Sequence, residues 1–131
     1  MDIDMSNEIT YQFQIQLSNG SLADSYASNA LYSDQTKAAM VRNVLVVSGA
    51  VSVALDLGGI LPAGIPGWGV FVNNDNTGSS AYLQLGTNDG TFHPFLRLYA
   101  GQQQLVHLDN IAVNALASSG SIPLFYIIYA E

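Results

Sequence analysis

The chain has 131 residues, no cysteine, 49% apolar and only 10% charged residues, with three cations against ten acids for a net charge of −7. That length fits one domain burying roughly two-thirds of its unfolded surface without a disulfide or metal staple. Absent thiols exclude disulfide frameworks, thiolate nucleophiles and thiolate metal sites, and three scattered cations, Lys37, Arg42 and Arg97, are few for neutralising phosphates, so no nucleic-acid partner is expected.

In chain order, residues 1–8 carry Asp2 and Asp4 where a signal peptide has a basic leader. They read as a flexible N-terminal arm, or as an ordinary frayed terminus, ahead of one domain over residues 9–131. In residues 9–18, Ile9, Tyr11, Phe13, Ile15 and Leu17 alternate with Thr10, Gln12, Gln14, Gln16 and Ser18, which puts the large apolar side chains on one face of a strand. Asn19-Gly20 then supplies a turn. Residues 23–31 are weakly patterned, and 34–41 is the one stretch suited to a helical turn. Val-rich runs at 40–47 and 51–57 flank Ser48-Gly49-Ala50. Residues 44–61 are apolar enough to raise a membrane question, but Asp56, Gly49, Gly58 and Gly59, with Pro62 and Pro66 following, fit two strands and a turn better than a spanning helix. No membrane partner is expected.

After a Gly- and Pro-rich loop at 58–67, strands are predicted over 68–72, 82–85, 92–99, 105–108, 111–116 and 124–129, with turn chemistry at 73–80, 88–90, 100–101 and 118–120. Brief strands punctuated by Gly and Asn predict an all-β fold, an antiparallel β-sandwich, jelly-roll-like, of about eight to ten short strands.

The run Leu124-Phe125-Tyr126-Ile127-Ile128-Tyr129 is apolar on both faces. Either it is central with both faces covered, or its outer face meets another subunit, because an uncovered edge strand of this kind invites aggregation. Phe125 and Tyr126, with Ile15 and Leu17 of the first strand, are therefore candidate subunit contacts. A charged fraction of 10%, where soluble domains carry about 25%, also favours an assembly with neighbours covering part of the surface.

His93 and His107 fall on the arms of a predicted hairpin turning at Ala100-Gly101. A register pairing Leu96 with Val106 puts His93, Arg97 and His107 on one outward face with Asp109 nearby, yet a one-residue slip destroys the cluster. Two surface histidines and no metal site are expected. Asn73, Asp75, Thr77 and Gly78 match the start of a calcium loop, but the closing Glu is replaced by Gln84 and no helices flank it; the segment reads as a loop whose side chains satisfy their own backbone. No Gly-x-Ser-x-Gly and no phosphate-cradling loop occurs, so no catalytic residue, no cofactor and no enzymatic activity are expected. Trp68 and seven tyrosines leave a carbohydrate-binding module as an alternative, against simple packing of Trp68 across its loop.

An ordered series of motifs goes beyond generic β structure: Gly67-Trp68-Gly69-Val70-Phe71-Val72-Asn73-Asn74, Tyr82-Leu83-Gln84-Leu85-Gly86, Phe92-His93-Pro94-Phe95-Leu96-Arg97-Leu98, Ala100-Gly101-Gln102, Leu105-Val106-His107-Leu108 and the closing 124–129 run. With Gln12-Phe13-Gln14-Ile15 and Asp34-Gln35-Thr36, the series resembles small tailed-bacteriophage virion structural proteins. The resemblance implies a shared sandwich and no set of functional residues; the polar Gln102-Gln103-Gln104 run departs from it. It further implies a place in the virion, with the chain itself as homo-oligomer and the major capsid protein or another virion protein as partners. An acidic chain is repelled by packaged DNA, which points to a decoration (cement) protein on the outer head surface; a neck, tail or fibre component is the alternative.

Overall fold

A computed structural model describes residues 8–33, 39–60 and 64–131. Most of the predicted arm, residues 34–38 of the stretch suited to a helical turn, and residues 61–63 lie outside them. The described residues are all-β, and the chain divides into two compact units, Met1–Thr36 and Lys37–Glu131.

The second unit contains β5 (Met40–Ser48), β6 (Val53–Ala54), β7 (Pro66–Asn73), β8 (Tyr82–Asn88), β9 (Phe92–Tyr99), β10 (Gln103–His107), β11 (Asn114–Ala117) and β12 (Ser121–Ala130). They form two four-stranded antiparallel sheets, ordered β10-β7-β12-β5 and β6-β11-β8-β9. The pairs β5·β12, β6·β11, β7·β10 and β8·β9 nest one inside the next, as in a long hairpin rolled up so that its ladders alternate between two sheets. This is the strand order of a jelly roll, as the patterning predicts.

Alternation fixes the inner faces. Val47, Phe71, Ile122, Leu124, Tyr126 and Ile128 of the first sheet are buried in one core with Leu83, Leu85, Leu98, Ala115 and Ala117 of the second. Leu55, Leu57, Ile60, Leu108 and Val113 from the connections complete it. The β8–β9 ladder shifts register between Leu85 and Gly86, so that Gly86 faces Pro94. A Cβ there would run into the His93 carbonyl and come within 2.8 Å of Pro94 Cα, which leaves glycine as the residue that fits this bulge.

The turn at Ala100-Gly101 differs from expectation. Gly101 has φ of 79° and donates its N–H to the Asn73 carbonyl at 3.0 Å. The chain thereby crosses from one sheet to the other: β9 pairs with β8, and β10 with β7. The predicted β9–β10 hairpin does not form.

The first unit consists of β1 (Ile9–Tyr11), β2 (Gln14–Asn19), β3 (Leu22–Ala27) and β4 (Leu31–Ser33). β2 pairs with β3 and β1 with β4, making one interrupted hairpin that turns at Gly20, whose φ is 59°. Two residues, Gln12 and Phe13, oppose three, Ser28, Asn29 and Ala30. The Phe13 N–H donates to Ser28 Oγ and the Ser28 N–H to the Phe13 carbonyl, both at 2.9 Å, which holds the ribbon together across this bulge. The strand predicted over 9–18 is thus split, and its residues form this ribbon instead of joining the two sandwich sheets.

Candidate interaction face

Along β12 the inward side chains leave Pro123, Phe125, Ile127 and Tyr129 pointing outward. Register places Val72, Phe125 and Val44 side by side, then Val70, Ile127 and Arg42, then Trp68, Tyr129 and Met40. β10 adds Gln103, Leu105 and His107 at the far edge. The outer face of this sheet is therefore apolar across most of four strands. At the β5 edge it is open: Val46 is 66%, Val44 56% and Met40 44% exposed. The Arg42 guanidinium lies 5.9 Å from the centre of the Phe125 ring, which lets this cation sit among hydrophobes. At the opposite edge His107 Nε2 is 2.7 Å from Glu131 Oε2, and its ring stacks on Trp68 with centroids 4.5 Å apart.

The other sheet turns a different surface outward. Tyr82 faces Tyr99 and Gln84 faces Arg97 in register, with the Arg97 guanidinium 4.1 Å from the Tyr82 ring centre. The Tyr99 hydroxyl, first, and the Tyr82 ring side by side with it raise the Arg97 pKa. One outer face is polar and aromatic; the other is apolar. That asymmetry marks the apolar face as the surface with something to bury.

Of the predicted contact residues, Phe125 lies on the apolar face, half-buried. Ile15 and Leu17 are 60% and 42% exposed on the ribbon. Tyr126 requires correction: it is fully buried, and its hydroxyl accepts the Asp56 N–H at 3.1 Å. Inward parity within β12 puts it in the core, out of reach of a neighbour. Met40, Val44, Val46, Val70, Val72 and Leu105 were missed, although residues 40–47 are apolar at both odd and even positions, the same signal that singled out 124–129.

The remaining sequence candidates separate. His93 faces Thr87 and lies 3.1 Å from Asp89 Oδ1, whereas His107 is on the other sheet, so the cluster with Arg97 and Asp109 does not assemble. Among the described residues no group of three His, Cys, Asp or Glu side chains is placed to hold a metal. In the calcium-like segment the loop satisfies its own backbone, as expected: Asn73 Oδ1 accepts the Asp75 N–H at 3.0 Å, and Asp75 Oδ1 accepts the Thr77 N–H at 2.9 Å. The Thr77 backbone and then its hydroxyl hold the Asp75 carboxyl below its ordinary range. The Thr91 backbone, then His93, does the same for Asp89. A cleft of 330 Å³ beside this loop is lined by Asn74, Asp75, Thr77 and Ser119, among others.

Asn73 itself is wholly buried and donates its side-chain N–H to the Leu98 carbonyl at 2.9 Å, clipping one sheet to the other. Asn73→Ala is expected to cost about 2–4 kcal/mol, because Leu98 O and Asp75 N–H both lose their partner. Urea unfolding reads the loss as a lower midpoint at unchanged slope; a cost below about 0.5 kcal/mol would contradict the clip.

No family model matches the chain, and neither curated proteins nor solved structures give a significant match. The strand order makes the second unit a jelly roll, an architecture that serves viral capsid domains, lectins and cupins alike, so function has to be argued from the surface and not from the fold.

Proposed function

We propose that this chain is a bacteriophage virion structural protein, a decoration protein bound to the outer surface of the head and stabilising it by protein–protein contacts. The observation carrying this reading is the outer face of the β10-β7-β12-β5 sheet. It is apolar across β7 and β12 and open to solvent on β5 at Met40, Val44 and Val46, the kind of patch that proteins bury against partners. A chain with 10% charged residues has little else to keep such a face apart from its own kind. The motif series from Gly67 to Tyr129 supports the virion setting, and the jelly roll agrees by analogy alone. A net charge of −7 favours the outside of a head over its DNA-filled interior.

Mass spectrometry of purified particles tests the reading. A copy number comparable with that of the major capsid protein is expected. A handful of copies moves the chain to the neck, tail or fibre, and absence from every particle overturns the virion reading.

A further inference from the structure

We propose that the apolar face of the β2–β3 ribbon seats on the outer β10-β7-β12-β5 face of a second copy of this chain. The inference rests on the reading of that sheet face as an assembly surface, and it names the occupant.

The ribbon needs a cover. In the β2–β3 register Ile15 faces Tyr26 and Asn19 faces Leu22, so Phe13, Ile15, Leu17, Leu22 and Tyr26 share one side, with the Phe13 and Tyr26 rings 5.6 Å apart. Gln14, Gln16, Ser18 and Ser25 occupy the other. All five apolar side chains are exposed, and a lone two-stranded ribbon is at best marginally stable in water. Six residues per strand extend about 20 Å and two strands about 10 Å, which fits on a four-stranded face about 19 Å across.

Charge selects the partner. Asp24 faces Leu17 and is the one ionisable carboxylate on the ribbon's apolar side. Arg42 faces Ile127, amid Met40, Val44 and Phe125, and is the lone guanidinium on the sheet face. Burying either alone leaves an uncompensated charge, which interfaces do not tolerate; bringing them together removes both penalties. Arg97 is engaged on the other sheet by Tyr82 and Tyr99. Both halves of the match are encoded in one chain, so a second copy can supply the occupant with no foreign partner. The contact is heterologous, ribbon of one copy to sheet of the next, and it closes a ring when the rotation permits.

The test uses the full chain and its lack of cysteine. Asp24→Cys and Arg42→Cys single variants, mixed and oxidised, are expected to form the mixed disulfide in preference to either symmetric one. In sedimentation, D24R or R42D is expected to weaken self-association about tenfold or more, and the D24R/R42D reversal to restore it to within about threefold. Both positions are exposed, and circular dichroism checks that each variant folds. A wild-type chain that sediments as a monomer, a reversal no better than the single variants, or a disulfide that forms only within one chain of a doubly substituted molecule overturns the inference. A monomer that is nonetheless abundant in particles overturns it while leaving the proposed function standing. Self-association with the expected charge rescue, by a chain absent from particles, upholds the contact and removes the virion reading.

Discussion

Tyr126→Ala is expected to destabilise the second unit by about 3–5 kcal/mol, enough to unfold a domain of ordinary stability. The ring is fully buried in one of the two central strands of its sheet. Its removal leaves a cavity ringed by residues of both sheets, and β-sheet backbone does not collapse into such a space. The hydroxyl adds a separate, smaller contribution. It sits 3.1 Å from the Asp56 N–H and 3.4 Å from the Asn43 side-chain nitrogen, and so ties β12 to the segment after β6. Tyr126→Phe keeps the volume and loses these bonds, for an expected cost of about 1–2 kcal/mol. Urea denaturation of both variants separates the two effects. If Ala costs no more than Phe, packing at this position is not what holds the sheets together.

The second large effect is on assembly and not on stability. Val44 and Val46 lie outward on an edge strand, where lysine is well tolerated, so Val44→Lys with Val46→Lys is expected to shift the unfolding free energy by under about 1 kcal/mol. Two ammonium groups desolvated against the neighbouring copy's ribbon should nevertheless weaken self-association by about 100-fold, read by sedimentation. Val44→Thr with Val46→Thr, which keeps the β-branched shape, should fall between the two. Wild-type binding by the lysine variant would show that this face is not used.

The alternating run at 9–18, the Val-rich run at 40–47 and the doubly apolar run at 124–129 were legible because strand periodicity is local. Phe92–Tyr99 emerged with its bounds intact, since Asn88-Asp89-Gly90 before it and Gly101 after it are strong punctuation. What local pattern does not encode is pairing. Tyr99 and Gln103 are four residues apart, which resembles a hairpin, yet the turn between them changes sheets; the deciding hydrogen bond, Gly101 N–H to Asn73 O, spans 28 positions. For the same reason Tyr126 and Phe125 were indistinguishable as contacts: which parity of β12 faces inward depends on the sheet stacked against it. The ribbon's alternation suggested a buried face, but exposure of Phe13, Ile15 and Leu17 is a property of what lies next to them, which no single strand records. The apolar β5 face does not stand out in the sequence because 40–47, apolar at both parities around Arg42 and Asn43, predicts burial and openness equally well.

β12 lies between β5 and β7 although it follows every other strand in chain order, and Met40 pairs with Tyr129. Until β12 is synthesised, β5 and β7 have no ladder to each other, and a nascent chain carries two Val-rich strands with open edges. Loop closure over that separation puts folding in the slow, millisecond-to-second regime of all-β topologies, during which aggregation competes. Yield should therefore respond to growth temperature and chaperone supply more than thermodynamic stability suggests, and lesions in the last ten strand residues should surface as inclusion bodies before they surface as weakened binding.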